Sequence, residues 1–356
     1  MRVIIAGGGT GGHLYPGIAV AEEIYRQEPD SDILFVGTKS GIEAKILPHE
    51  GYRLEIIPAG GVINKNILLK LSSIIKMVYG FIRSFRILQR FNPDVVIGVG
   101  GYASAPMLSA AAILRFPTVI LEQNLFPGAA NRVLSHIVDR VIVAFEGSGR
   151  FFKRKVDVLG NPVRKGLTGC GYRPDDMFTL FIFGGSQGSH AINKAVVESL
   201  PYLQNESVHI RFIHQTGEKD FVWVNSSYMD TGINAEVTPY VYNMADVYKK
   251  ADIVICRAGA TTIAEITACG RPAILIPYPH AAHDHQRINA EYLKSIGSAE
   301  VISEDDINGK ILADWIKYFL YNRDMLKEMA MKSAGLYRKN PAYDIVELCR
   351  ELVNGE

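Results

Sequence analysis

The chain has 356 residues, which at roughly 150 residues per domain predicts two domains. Hydrophobic residues make up 48% and charged residues 21%, so disordered and fibrous architectures are excluded. Lys and Arg total 38 against 37 Asp and Glu, so no global charge directs the chain to nucleic acid. Attraction to an anionic surface has to come from a local cluster.

Cys170, Cys256, Cys269 and Cys349 are far apart and include no CxxC pair. That spacing argues against a disulfide framework or zinc site and for a reducing cytosol. The apolar run before the first glycines, residues 1–6, is too short for a signal peptide. The longest apolar stretch, 105–114, is broken by Pro106 and Ser109 and ended by Arg115, short of the ~20 residues of a membrane span.

In chain order, β-branched runs predict strands at 3–6, 33–36, 95–99, 119–121 and 141–143, with helices at 16–27 and 67–90 between them. Short apolar strands alternating with amphipathic helices predict a parallel sheet covered on both faces. The periodicity stops at 158–166, where Gly160, Asn161, Pro162 and Gly166 mark an interdomain linker. It restarts with a strand at 178–183, a helix from about His190, and strands at 208–213, 252–256, 273–276 and 299–302. A last amphipathic helix, 342–353, follows Pro341. The expectation is an α/β protein of two Rossmann-like domains facing across a cleft: residues 1–161 and 162–341, with 342–356 packing back onto the first.

Both halves open as strand, glycine loop, helix. Loop one is Gly7-Gly8-Gly9-Thr10-Gly11-Gly12-His13. Glycine lets backbone N–H groups approach a phosphate, and the helix start adds partial positive charge. The same loop satisfies GxGxxG, so a dinucleotide site is the rival, and a tight turn without ligand is the plainer alternative. The dinucleotide reading needs a carboxylate at the end of the second strand, where the sequence reads Phe35-Val36-Gly37-Thr38. Loop two, residues 184–189, repeats the context. A third tract, Gly98-Val99-Gly100-Gly101-Tyr102, ends the 95–99 strand at the same sheet edge. Two such loops point to a phosphorylated ligand.

The segment from Arg257 to Glu265 follows the 252–256 strand. Its small residues and threonines can donate to a pyrophosphate, and Glu265, two turns in, can accept both hydroxyls of a ribose. A solvated helix glutamate is the alternative.

Gly8-Gly9-Thr10-Gly11-Gly12-His13, Gly100-Gly101-Tyr102, Glu122-Gln123-Asn124, Gly160-Asn161-Pro162-Val163-Arg164, Gly184-Gly185-Ser186-Gln187-Gly188 and the Arg257 to Glu265 segment stand in the order and spacing of the MurG family. The chain resembles that family over nearly its whole length. The resemblance implies the two-domain GT-B fold and a hexosyltransferase. It implies transfer of N-acetylglucosamine, with inversion, from UDP-N-acetylglucosamine to the 4-hydroxyl of undecaprenyl-pyrophosphoryl-N-acetylmuramoyl-pentapeptide. That step turns lipid I into lipid II in peptidoglycan synthesis, on which cell shape and division depend. It further implies a peripheral location on the cytoplasmic face of the inner membrane, no cofactor, and other cell-wall synthesis proteins as partners. Donor contacts fall, by resemblance, on Thr10, Gly11, Gly12, Asn124, Arg164, Ser186, Val241, Ala260, Thr261, Thr262, Ile263, Ala264, Glu265 and Gln286. Val241 would offer backbone groups to uracil and Gln286 would bind sugar hydroxyls. Some family members carry Gln-Gln where this chain has His285-Gln286, and Ala281-Ala282-His283 matches loosely.

Inversion needs one in-line displacement, with a base taking the proton of the attacking hydroxyl. His13 is the candidate base and Glu122, ending the 119–121 strand, the candidate to orient or replace it; a His13 that merely contacts phosphate is the alternative. Loop two and a helix N-terminus can stabilise the departing UDP without metal. No Asp-x-Asp stands near either loop, and Asp175-Asp176 reads as a turn. His280, His283 and His285 with Asp284 could resemble ligands, but a polar loop is the preferred reading. A 2-epimerase acting on UDP-N-acetylglucosamine, a sugar-nucleotide-binding protein without catalysis and a glycolipid synthase are the competing functions.

Residues 62–91 carry Lys65, Lys70, Lys76, Arg83, Arg86 and Arg90 and no acid. Lys76, Arg83 and Arg90 recur every seven residues, on one helix face beside Arg86. Apolar residues surround that stripe beyond what one sheet face requires. The expectation is docking on an anionic membrane; a buried crossover helix with a solvated basic edge is the alternative.

Overall fold

The computed structural model describes residues 1–60, 67–172, 176–281, 284–338 and 340–355, with the side chains of residues 67–74 also excluded. The expectations about Lys65, Lys70, Asp175, Ala282 and His283 therefore lie outside the described residues. The chain forms two compact units, Met1–Val163 with Arg338–Glu356, and Arg164–Tyr337.

The first unit runs β1 (Arg2–Gly7), α1 (Gly11–Gln27), β2 (Asp32–Gly37), α2 (Glu43–His49), β3 (Arg53–Ile56), α3 (Ile67–Phe91), β4 (Val95–Gly100), α4 (Ser104–Ile113), β5 (Thr118–Glu122), α5 (Ala129–Leu134), β6 (Arg140–Val143) and β7 (Asp157–Val158). Its seven strands are parallel, in the order β3-β2-β1-β4-β5-β6-β7. Because β1 and β4 are neighbours while their helices leave in opposite senses, the sheet has a switch point at their carboxyl ends. Ile4, Ala6, Val96 and Ile120 are fully buried on one face, against Leu88, Met107 and Leu108 of α3 and α4.

The second unit runs β8 (Phe178–Phe183), α6 (His190–Ser199), β9 (Ile210–Gln215), α7 (Phe221–Thr231), β10 (Ala235–Thr238), α8 (Met244–Lys250), β11 (Ile253–Cys256), α9 (Ala260–Ala268), β12 (Ala273–Leu275), α10 (His285–Ile296), β13 (Ala299–Val301), α11 (Gly309–Tyr321) and α12 (Arg323–Gly335). Its parallel order is β10-β9-β8-β11-β12-β13, with the switch point between β8 and β11. Both units are thus Rossmann-like α/β layers.

The final helix, α13 (Pro341–Asn354), belongs to the first unit and packs against α1. Arg350 donates from two nitrogens to Glu28 Oε1, at 3.0 and 2.8 Å, and the amino terminus donates to Glu28 Oε2 at 2.8 Å. Three distant parts of the chain meet on that carboxylate, whose pKa these cations, the amino terminus first, hold below its usual value.

The helix α3 changes character along its length. Toward its end Gly80, Ser84, Ile87, Leu88 and Phe91 are buried, the spacing of one helix face. Gly80 lies so close to the Pro58 carbonyl that a Cβ would sit 2.3 Å from it. Earlier, residues 75–79 are exposed in succession: Ile75 is 61%, Val78 56% and Tyr79 59% exposed, with Ile82 following. Among the described residues no helix is long and apolar enough to cross a membrane.

Candidate active site

In the first unit the glycine tracts meet at the switch point. The Gly8 N–H donates to the Gly100 carbonyl at 3.2 Å, which locks the end of β4 under loop one. The His13 ring lies over Gly100, where a Cβ would come within 2.7 Å of the imidazole; a side chain there would displace the ring. His13 Nδ1 faces the Gly8 carbonyl at 3.3 Å and the Thr10 hydroxyl at 3.5 Å. A carbonyl only accepts, so Nδ1 donates in that pairing, and in the neutral ring Nε2 then holds the lone pair. That is the tautomer a general base needs. Thr10 and Gly12 are exposed at the start of α1, and Gly11 is half-buried.

Sequence reasoning missed Glu43. No acid stands in the sequence at the end of β2, yet the first residue of α2 brings one back there. The Glu43 carboxylate is fully buried and accepts the Gly9 N–H at 2.7 Å, the Thr38 N–H at 2.8 Å and the Thr38 hydroxyl at 3.0 Å. It packs so tightly under Gly8 (φ +127) that a Cβ there would lie 2.6 Å from the carboxyl. The amides of Gly8 and Gly9 therefore point inward to protein acceptors. Glu43 is thereby committed to the donors of loop one and Thr38.

Glu122 ends β5 almost completely buried. Its Oε1 accepts the Asn124 N–H and side-chain amide at 2.9 and 3.1 Å; its Oε2 accepts the Gly128 N–H and the Asn131 amide at 3.0 and 2.8 Å. Four donors occupy both oxygens, which places the group to fix Asn124. Ser148 completes the loop by donating to the carbonyls of Asn124 and Leu125.

In the second unit loop two runs from β8 into α6, capped by Ser189, whose hydroxyl accepts the Ile192 N–H. Ser186 is half-buried on this loop. Gln215, at the end of β9, is a second missed residue. Its amide donates to the Gly185 carbonyl at 2.9 Å while its oxygen accepts the Val241 N–H at 2.9 Å. Of the two backbone groups expected of Val241, the N–H is thus already engaged. Arg257 donates to the Ser189 hydroxyl at 2.6 Å, to the carbonyls of Ile276 and Pro277, and to Glu304. It ties loop two to the end of β11.

Helix α9 starts from Gly259, which offers no side-chain cap. Ala260, Thr261 and Ile263 are buried, whereas Thr262 and Ala264 are half-exposed. Glu265 is buried, and Arg164, 101 residues away, donates to its Oε1 from two nitrogens at 2.9 and 2.7 Å. Burial first, then the Glu265 charge, hold the Tyr248 phenol well above its ordinary range, so it stays a donor facing Oε2 at 3.4 Å. The two predicted contacts Arg164 and Glu265 are thereby brought together. Gln286 accepts the Tyr278 N–H at 3.0 Å and pins the turn before α10. Among the described residues no three His, Cys, Asp or Glu side chains cluster as metal ligands would.

On α3, Arg90 and Arg83 reach Glu55 of β3 at 2.5 and 3.8 Å. β3 thus supplies two of these cations with an acid that the 62–91 segment itself lacks. Lys76 and Arg86 have no acidic partner among the described residues.

Residues 3–143 match the model of the glycosyltransferase family 28 N-terminal domain, and residues 179–349 that of its C-terminal domain. A relative from Geobacter metallireducens, named UDP-N-acetylglucosamine--N-acetylmuramyl-(pentapeptide) pyrophosphoryl-undecaprenol N-acetylglucosamine transferase, is 47% identical over 354 residues, covering 98% of this chain and 97% of the relative. The crystal structure of Acinetobacter baumannii MurG is 29% identical, with a TM-score of 0.77, covering 98% of this chain and 99% of that one. The UDP-GlcNAc 2-epimerase from Neisseria meningitidis, solved bound to UDP-GlcNAc, shares the fold at a TM-score of 0.69 with 13% identity, over 99% of this chain and 100% of that one.

Proposed function

This chain belongs to glycosyltransferase family 28, and from that premise we propose how its residues perform the transfer. It is an N-acetylglucosaminyltransferase that moves N-acetylglucosamine from UDP-N-acetylglucosamine to lipid I, forming lipid II for peptidoglycan. The observation that carries this reading is the relationship to the Geobacter enzyme over 98% of this chain, with both halves matched to the family's two domains. The epimerase relationship extends to the fold alone.

The first unit holds the acceptor and the base. His13 Nε2 takes the proton of the attacking 4-hydroxyl, and the Nδ1–H bond to Gly8 keeps the ring in the required tautomer. From this unit Thr10, Gly11, Gly12 and Asn124 bind UDP-N-acetylglucosamine. Glu122 acts by positioning Asn124, not as the base. The second unit holds the donor. Ser186 and loop two, with the first turn of α9 from Ala260 to Ala264, bind the pyrophosphate; the uncapped amides of α9 stabilise the charge that UDP acquires as it leaves. Glu265 receives the ribose hydroxyls, with Arg164 keeping its charge compensated. The Val241 carbonyl meets uracil, and Gln286 meets the sugar. No metal is required: turnover is expected to persist without divalent cations and in chelator, and a complete loss restored by metal would overturn this point.

The enzyme docks on the membrane that holds the acceptor's polyprenyl chain. The exposed apolar residues Ile75, Val78, Tyr79 and Ile82 of α3 support this, as do Lys76 and Arg86 beside them. The location is peripheral, on the cytoplasmic face of the inner membrane, near the other enzymes of cell-wall synthesis. The decisive experiment incubates the protein with UDP-N-acetylglucosamine and a lipid-linked muramoyl-pentapeptide and identifies the product. A disaccharide-linked lipid is expected. An epimerised UDP-sugar formed without acceptor would establish the epimerase instead.

A further inference from the structure

Two of the four cysteines, remote in sequence, meet in the second unit. Cys170 lies six residues beyond Arg164, and Cys269 follows the last turn of α9. Their sulfur atoms stand 3.0 Å apart across 99 residues of sequence. Both thiols also face the Leu167 carbonyl oxygen at 3.1 Å, so one acceptor holds the pair side by side. A disulfide requires about 2.05 Å between sulfurs, so an approach of roughly 1 Å closes the bond.

The two thiols differ in the way an attacking and a resolving cysteine differ. Cys170 is half-buried, while Cys269 is buried and lines a cavity of about 540 Å³ with Gly169, Tyr172, Gly270 and Ala334. The hydrogen bond from Cys269 and then the nearby Arg271 guanidinium lower the Cys170 thiol below its usual range. Arg271 is itself fixed by the carbonyls of Tyr248, Lys249 and Gly171. The same Cys170 contact, together with burial, raises the Cys269 thiol. Cys256 and Cys349 are each buried apart from this pair.

We propose that Cys170 and Cys269 are a modification site that closes into a reversible intramolecular disulfide by exchange with a soluble small-molecule disulfide. The Cys170 thiolate attacks one sulfur of the reagent, breaking its S–S bond and releasing one thiolate. Cys269, losing its proton, then attacks the Cys170 sulfur and displaces the second thiolate. The two protein thiols lose two electrons; the reagent gains them and ends as two thiols carrying the two protons. The consequence falls on the donor machinery, because the Cys269 N–H donates to the Glu265 carbonyl at 3.0 Å, one helical turn back. The bridge would tie the segment carrying Arg164 to the helix carrying Glu265.

The test treats the reduced, full-length protein with glutathione disulfide, alkylates the remaining thiols and maps peptides without reduction. The expected product joins the Cys170 and Cys269 peptides and is lighter by two hydrogen atoms than their sum, while Cys256 and Cys349 stay alkylated. In Cys269→Ser the resolving thiol is gone, so the glutathione adduct on Cys170 accumulates. Cys170→Ser, at the more exposed position, yields neither link nor adduct and serves if Cys269→Ser fails to fold. The proposal is overturned if the parent ends with glutathione on Cys170 and an alkylated Cys269, or with both cysteines alkylated.

Discussion

Arg164 and Glu265 are joined through a single oxygen, with two guanidinium nitrogens on Oε1 and the Tyr248 hydroxyl facing Oε2. The partners are unequally shielded, since the side chain of Glu265 is 3% exposed and that of Arg164 18%. Removing Arg164 leaves a charge buried without its counter-ion, at a cost of about 3–5 kcal/mol. Removing Glu265 leaves a cation with a route to water. Arg164→Ala is therefore expected to lower the urea midpoint more than Glu265→Ala. Glu265→Ala should in turn weaken UDP binding by at least roughly tenfold, the lower end for a charge-assisted hydrogen bond. Calorimetry with UDP checks this, and unchanged affinity removes Glu265 from the donor site.

His13→Gln keeps a polar side chain of similar length but has no basic nitrogen. It should reduce kcat by about 10²–10⁴ while leaving UDP affinity intact. Steady-state kinetics with a lipid-linked acceptor measures this. Near-normal kcat would assign His13 to phosphate contact alone.

Glu55 divides the α3 cations into two classes. Reversing Lys76 and Arg86 to Glu should release the enzyme from anionic vesicles, each cation near the surface contributing roughly 1 kcal/mol. Reversing Arg83 and Arg90 instead removes cations already opposed by Glu55 and should have the smaller effect. Ile75→Ser with Val78→Ser should weaken binding even at low salt, where charge attraction is strongest. Sedimentation with vesicles across a salt series reads all three. Equal loss from both charge pairs would mean that Glu55 does not shield.

His214 predicts an acid sensitivity in the second unit. It is fully buried between the Tyr228 hydroxyl and the Asn193 oxygen, with Asp220 the nearby acid, and burial brings its pKa down to about 3. The folded state thus holds neutral imidazole where the unfolded chain, at pKa about 6.5, binds a proton. The stabilisation is complete above the unfolded pKa and is lost as pH falls toward the folded one, by about 1.4 kcal/mol per pH unit. Denaturation between pH 7 and 4 should show this slope, and His214→Gln should flatten it.

The alternation of strand and helix was legible because central parallel strands are continuous apolar runs, as in Val95–Gly100 and Phe178–Phe183. The edge strands β3 and β10 were not. Residues 53–56 read Arg-Leu-Glu-Ile and lie half-exposed at the sheet margin, and 235–238 mix Ala, Glu, Val and Thr in the same position. The strand expected at 208–213 is observed at Ile210–Gln215, because polar His214 and Gln215 extend it through buried hydrogen bonds. Helix α1 starts at Gly11, five residues before the proline taken as its start, with Pro16 in its second turn. Of the site, the loops and the helix start at Ala260 followed from glycine and small-residue spacing. Glu43, Gln215 and Glu55 did not, since each acts on a strand or helix that is its neighbour only in the folded sheet.

The placement of α13 sets the order in which the molecule can be completed during synthesis. The first unit begins at Met1 but includes Arg338–Glu356, so its final helix leaves the ribosome after the whole of the second unit. At about 5–20 residues per second, the stretch Arg164–Tyr337 takes roughly 10–30 s to make, during which α1 lacks the helix that covers it. The nascent first unit therefore carries an uncovered apolar face and a Glu28 without its Arg350 partner until its last turn arrives, the interval in which a chaperone would find its binding site.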